Sequence, residues 1–197
     1  SMKKNIFSKA DILKGLRLEQ FEVYYQPIID KKLGAIISGE ALIRWNHPKL
    51  GFLHPGIFIP VAESNGAIIA LGDFVLRQAC RQSKAWSDAG HSFSKVTVNL
   101  SFAQILEKDF VENTIRIIKE SGIDPHNLEL EITETMAMVN PDTTKEMISK
   151  LQEVGVRIIL DDFGTGYSSL SHLKYLPFNG LKIDRQFIKQ SLESVRD

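Results

Sequence analysis

The sequence predicts an α/β fold: a parallel sheet wrapped by helices and bending toward a TIM-type (β/α) barrel, opened by an antiparallel strand pair. Three observations predict it. Two strand-like runs near the start are separated by the short segment Asp30-Lys31-Lys32-Leu33-Gly34, which cannot carry a crossover and so makes the pair antiparallel. From there on helices and strands alternate strictly, the pattern of a parallel sheet with helices outside. Right-handed crossovers repeated without a reversal favour a barrel over an open sheet.

The elements follow in order. Phe21 to Ile29 is aromatic and β-branched, hence a strand, and Ala35 to Trp45 is the second. Gly72 to Ala89 is a helix with Val75, Ala79 and Trp86 on one face and Gly90 past its end. Lys95 to Leu100 is a strand. Ala103 to Ser121 is a helix in which Val111, Ile115 and Ile118 align and Gly122 closes. Asn127 to Thr133 is a strand. Asn140 caps a helix with Pro141 at its first position and a stripe of Met147, Leu151 and Val154 before Gly155. Val156 to Asp161 is a strand, Tyr167 to Tyr175 is helical, Gly180 to Asp184 is a strand, and a last helix begins near Arg185. A closed barrel needs eight strands and about 250 residues. With six strands in 197 residues, the chain is expected to stop about two βα units early. Ser1-Met2 reads as a scar ahead of the natural start and carries no fold information.

Composition excludes several function classes. Lys+Arg and Asp+Glu are equal at 24 each, so charge makes no case for a nucleic-acid polymer or an anionic membrane. The single Cys80 forbids an internal disulfide and suits a reducing compartment. No apolar run approaches the length of a membrane span. A cytoplasmic domain is therefore expected.

In such barrels chemistry collects at the C-terminal ends of the strands, and here the polar residues collect there. Glu40 lies late in the second strand, Asn99 near the end of the third, Glu131 near the end of the fourth, Asp161 and Asp162 at the end of the fifth, and Lys182 in the sixth. Each has an ordinary alternative. Glu40 can pair with Arg44, Asn99 can cap a helix, Glu129 and Glu131 can form a polar stripe, and Lys182 can be a solvated edge residue. The Asp-Asp pair itself reads alone as a helix cap and turn. Their joint placement, each interrupting an apolar strand, argues for a site. Oxygen donors without a His or Cys cluster suit Mg²⁺ or Mn²⁺ rather than zinc, and carboxylates from several strands can hold two such ions for displacement at phosphorus. Lys182 can orient water or stabilise developing charge, and Arg44, two pleats beyond Glu40, can grip a phosphate. His47, His54, His91, His126 and His172 show no ligand spacing and read as surface or capping residues. Gly164-Thr165-Gly166 is not a Walker loop, since no Gly-Lys-Ser/Thr follows.

These residues lie in an ordered set of motifs. They are Tyr25-Gln26-Pro27-Ile28, Glu40-Ala41-Leu42-Ile43-Arg44-Trp45, Phe58-Ile59-Pro60-Val61-Ala62-Glu63, Val98-Asn99-Leu100-Ser101, Glu129-Leu130-Glu131-Ile132-Thr133-Glu134, Asp161 to Leu170, and Leu181-Lys182-Ile183-Asp184. The set resembles that of EAL domains, the bacterial cyclic di-GMP phosphodiesterases. It covers nearly all of residues 16–197, with 1–15 as a leading segment, and the ordered set is specific where a lone Glu-Ala-Leu is not.

The resemblance implies a modified TIM barrel whose first strand is antiparallel. It implies that Glu40, Asn99, Glu131 and Asp161 hold one metal, Mg²⁺ or Mn²⁺, with Asp161 bridging to a second ion held partly by Asp162. Lys182 would help position the attacking water, Gln26 and Arg44 would contact the dinucleotide, and Glu134 would brace the loop from Phe163 to Ser169. The implied reaction opens one phosphodiester of cyclic di-GMP to give linear pGpG. A further metal-site Glu and a Gln are implied from strands seven and eight, beyond Asp197. The second metal site is therefore expected to be incomplete, turnover poor, and the open sheet edges a cause of self-association. The other reading is a catalytically impaired module that serves as a cyclic di-GMP receptor or protein-interaction domain, beside sensory or diguanylate cyclase domains elsewhere in the protein.

Overall fold

The computed structural model describes residues 6–163 and 174–183. In chain order the elements are α1 Lys9–Arg17, β1 Phe21–Asp30, β2 Ala35–His47, β3 Gly51–Leu53, α2 Pro55–Asn65, α3 Ile68–Asp88, β4 Val96–Asn99, α4 Phe102–Leu106, α5 Phe110–Ser121, a 3-10 turn Pro125–Asn127, β5 Leu128–Thr133, α6 Glu134–Val139, α7 Pro141–Val154, β6 Arg157–Phe163 and β7 Gly180–Ile183. They form a seven-stranded sheet in the order β1-β2-β4-β5-β6-β7, with β3 pairing off β2.

The opening pair is antiparallel, as expected, and β2 to β7 run parallel apart from β3. Local chemistry fixes the turn between β1 and β2. The Asp30 carboxylate accepts from the backbone N–H of Lys32 and Leu33 at 2.7 and 3.0 Å, and Gly34 takes the left-handed conformation at φ 62°.

All six strands read from the sequence are present. The additions and differences are local. β3 is three residues long and gives almost no periodic signal. α2 carries Pro60 inside it, and its Phe58-Ile59-Pro60-Val61 run has no helical stripe. α1 and α6 are short. The expected helix from Ala103 to Ser121 is two helices. A Ser101–Gln104 capping box opens the short α4, and Glu107 turns to extended backbone before α5 starts. The helix beginning at Gly72 starts earlier, at Ile68. The helix expected over Tyr167 to Tyr175 falls, save its last two residues, outside the described residues, as does the one near Arg185.

Alternation along the strands divides the sheet into an apolar and a polar face. Val96 and Val98 of β4, Leu128, Leu130 and Ile132 of β5, and Ile158 and Leu160 of β6 are all at most 1% exposed. They pack in one cluster with Leu76, Ala79 and Cys80 of α3, Ile117 and Ile118 of α5, and Ile148 and Leu151 of α7. Each large side chain removed from water in this way contributes about 1.5–3 kcal/mol. A second cluster gathers Trp45, Phe7, Phe21 and Phe58 where α1 and α2 meet the first strands. Among the described residues no helix is long and apolar enough to cross a membrane.

Cys80 belongs to the main cluster, and burial pushes its thiol up to about 12. The thiolate is the reactive form, so the thiol stays neutral and inert well above neutral pH. Iodoacetamide at pH 8 is expected to leave Cys80 unmodified in the native protein and to alkylate it after denaturation. Rapid labelling of the native chain, read by mass spectrometry, would put Cys80 at the surface instead.

Candidate active site at the strand ends

The face opposite the apolar one is polar in two layers. The lower layer forms because Thr97 of β4 stands beside Glu129 of β5, which stands beside Arg157 of β6. The Ser38 and Thr97 hydroxyls share a hydrogen bond of 3.0 Å, and the Thr97 hydroxyl donates to Glu129 Oε2 at 3.3 Å. Arg157 Nε donates to Glu129 Oε1 at 3.2 Å, and Lys95 Nζ lies 3.5 Å from the same oxygen. Two cations and a hydroxyl thus compensate one carboxylate. Sequence reasoning saw Glu129 only as a polar stripe. The i, i+2 pairs Lys95/Thr97 and Glu129/Glu131 were the signal for this floor.

Two residues further along β2, β4 and β5, the upper layer holds Glu40, Asn99 and Glu131, with Asp161 four residues beyond Arg157 on β6. Asn99 stands beside Glu131 in the β4–β5 ladder, and Gln26 stands opposite Glu40 across β1–β2. Asn99 Nδ2 donates to Glu40 Oε1 at 3.1 Å. Asn99 caps no helix, because Ser101 caps α4. Lys182 reaches across from β7 and makes an ion pair with Glu131, so it is no solvated edge residue. Glu131 is 2% exposed, and its Oε1 is buried within that ion pair. The ammonium of Lys182 is what faces it.

Burial pushes the Glu131 carboxyl above its ordinary range, the Lys182 bond and charge pull it back, and Asp161 and Glu40 push it up further. Burial alone would lower the Lys182 pKa, but Glu131, Glu40 and Asp161 outweigh it and raise it. Three carboxylates therefore share the field of one ammonium.

Asp161 and Asp162 lie in β6, not in a helix cap. The β6–β7 ladder shifts register between Leu160 and Phe163, so both carboxylates sit at an irregularity that can re-aim side chains. Asp162 has φ 56° and donates its backbone N–H to Asp161 Oδ1 at 2.8 Å. An Asp tolerates this left-handed conformation better than most residues. Arg44 makes no ion pair with Glu40. Its Nη1 donates to the Ile43 carbonyl at 2.9 Å, and its guanidinium lies over the Tyr24 ring, 5.9 Å from the centroid. Glu134 opens α6 and is buried. The loop it was expected to brace lies, after Phe163, outside the described residues.

The candidate donors are Glu40, Asn99, Glu131 and Asp161: hard oxygens from neighbouring strand ends, with the buried Glu131 carboxylate paired to the Lys182 ammonium. This chemistry fits a hard divalent cation. Among the described residues no three His, Cys, Asp or Glu side chains converge closely enough to hold an ion as they stand, and the Lys182 ammonium provides the positive charge. The described histidines belong to no ion-holding group. His54 caps α2 by accepting from Gly56 N–H, and His47 accepts from the N–H groups of Lys49 and Leu50.

The chain is similar to known proteins. A family model described as the EAL domain matches residues 9–197. The chain is 42% identical over 180 residues to the bifunctional diguanylate cyclase/cyclic di-GMP phosphodiesterase MucR of Pseudomonas aeruginosa, covering 91% of this chain and 26% of that protein. It is 42% identical over 189 residues to the cyclic di-GMP phosphodiesterase NbdA of the same species, covering 96% and 24%. A solved structure described as the PaMucR phosphodiesterase in complex with c-di-GMP superposes with a TM-score of 0.86 at 41% identity, covering 93% of this chain and 74% of that one. The mostly parallel sheet with its antiparallel first pair is thus the TIM-barrel-like fold of EAL domains. The chain spans about a quarter of the length of these curated relatives.

Proposed function

Because this chain belongs to the EAL domain family, we propose that it is a metal-dependent phosphodiesterase domain that hydrolyses cyclic di-GMP to linear pGpG. The observation that carries this reading is the upper polar layer, where the Asn99–Glu40 bond and the Lys182–Glu131 ion pair bring residues of four strands to one end of the sheet. The names of the relatives at 42% identity support the substrate.

Glu40, Asn99, Glu131 and Asp161 are the residues that would hold Mg²⁺ or Mn²⁺, with Asp162 beside them for a second ion. Such ions activate water near neutral pH and stabilise charge on the phosphoryl oxygens. The chain's own residues do the rest. Gln26, opposite Glu40, presents an amide to the dinucleotide, and Arg44 presents a fixed guanidinium at the mouth. Lys182, kept protonated by the carboxylates around it, holds the attacking water and offsets charge developing at phosphorus. Glu134 braces the loop after Phe163. The domain comprises residues 16–197, acts on the cytoplasmic side of a bacterial cell, self-associates, and works beside sensory or diguanylate cyclase domains of a longer protein.

A second reading, a receptor that binds the dinucleotide without cleaving it, draws on the absence of a preformed ion-holding carboxylate cluster among the described residues. One experiment separates the two. Cyclic di-GMP is titrated calorimetrically in Ca²⁺, and pGpG formation is followed by chromatography in Mg²⁺ or Mn²⁺. Binding with pGpG formation is the expected result. Binding without product favours the receptor, and no binding at all rejects both.

A further inference from the structure

Two aromatic rings stand at the mouth of the polar face without a packing reason. Tyr24 is 47% exposed and Phe52 is 54% exposed. Tyr24 lies opposite Leu42 in the β1–β2 ladder, and Phe52 lies opposite Asn46 in the β2–β3 ladder. Alternate residues share a face, so both rings lie on the side of Gln26, Glu40 and Arg44, while Trp45 points the other way into the core. The two rings contact each other, with centroids 5.9 Å apart and planes inclined by 43°. The Arg44 guanidinium, tethered to the Ile43 carbonyl, lies over the Tyr24 ring. The rings meet across β2, from β1 on one side and β3 on the other, and that contact leaves about half of each ring in water.

We propose that Tyr24, Phe52 and Arg44 form a stacking platform for one guanine base of the dinucleotide, an inference that rests on the phosphodiesterase reading above. Arg44 is four residues beyond Glu40, about 13 Å along the strand. That span matches the reach from a phosphate held at the strand ends, through its ribose, to the outer edge of the attached purine. Every base offers a π-face to an aromatic ring, and a guanidinium adds a cation–π contribution. The platform touches the base and not the reacting phosphorus. Its loss weakens binding and raises KM, while kcat is retained.

The test is calorimetric titration of cyclic di-GMP in Ca²⁺ with the parent chain, Tyr24→Ala, Phe52→Ala and Tyr24→Phe. Mn²⁺ binding without nucleotide and the oligomeric state by light scattering are measured on each. Tyr24→Ala and Phe52→Ala are each expected to weaken nucleotide affinity about tenfold or more, with Mn²⁺ affinity unchanged. Tyr24→Phe keeps the ring and is expected to bind like the parent. Phe52 is more than half exposed, so its variant keeps the test valid if Tyr24→Ala folds poorly. Parent-like nucleotide affinity in both alanine variants overturns the platform and leaves the phosphodiesterase reading standing. Loss of self-association with unchanged nucleotide affinity also overturns it, assigning the rings to a protein contact. Failure of the parent to bind cyclic di-GMP overturns the underlying reading and the platform with it.

Discussion

Replacing Glu131 by Gln is expected to abolish tight Mn²⁺ and Mg²⁺ binding while leaving the fold intact. Glu131 is the most buried of the proposed ligands, and the ammonium of Lys182 pairs with its Oε1. An amide of the same shape removes the charge without opening a cavity. It also relieves a cost. Because the folded-state pKa of Glu131 is raised, the stability linked to its protonation is full below the ordinary carboxyl value and is lost as pH rises through the folded value. At neutral pH the native protein therefore carries a carboxylate that burial disfavours, and Gln does not. Lys182 has the opposite balance. Its raised pKa marks stability present below its ordinary value and lost at higher pH, and the amide forfeits part of that. The two changes oppose each other, so the melting temperature without metal should move little. With metal at a hundredfold excess over Kd, the parent gains about 2.7 kcal/mol, and the variant should gain none. Phosphodiester cleavage should fall on the order of 100-fold or more. Calorimetry and thermal melts with and without Mn²⁺ read both effects, and unchanged Mn²⁺ affinity would remove Glu131 from the site.

Trp45→Ala is expected to give the largest loss of stability. Trp45 is 1% exposed, and its ring contacts Phe7 at 4.8 Å, Phe21 at 4.7 Å and Phe58 at 5.6 Å between centroids. Its indole N–H donates to Gln20 Oε1 at 3.0 Å. Truncation leaves a cavity and an unpaired acceptor, at a cost of about 3–5 kcal/mol out of a total near 5–15 kcal/mol. The melting temperature should fall by roughly 10 °C, with Trp45→Phe intermediate. The effect reaches the site as well, because Trp45 holds β2 to α1 and α2, and the alternation that buries Trp45 presents Arg44. Urea unfolding measures the loss, and a change below about 1 kcal/mol would show that this cluster is not a core.

Much of this was legible in the sequence. The short turn at Asp30 to Gly34 demanded an antiparallel pair, and the six strands were marked by apolar runs of the right length. Glu40, Asn99, Glu131, Asp161 and Lys182 stood out because each interrupts an otherwise apolar strand near its end. What escaped were short or atypical elements: β3 with three residues, α2 around Pro60, and the break at Glu107 inside an apparently continuous helix. Local pattern is weak in each of these, and packing decides.

The sequence by itself therefore determined which residue types face the two sides of the sheet and in what order the strands carry them. Periodicity is a local property, and burying alternate residues of a strand leaves only one choice of face. Only the tertiary structure decided who meets whom. Asn99 bonds Glu40 across 59 positions of chain, Lys182 pairs with Glu131 rather than with water, and Glu129 gathers Lys95 and Arg157 into a floor beneath them. Those partnerships depend on the register between strands distant in sequence. That register is set by helices packing on the far face of the sheet, where Leu130, Ile158 and their neighbours exclude water. No local pattern in the chain records it.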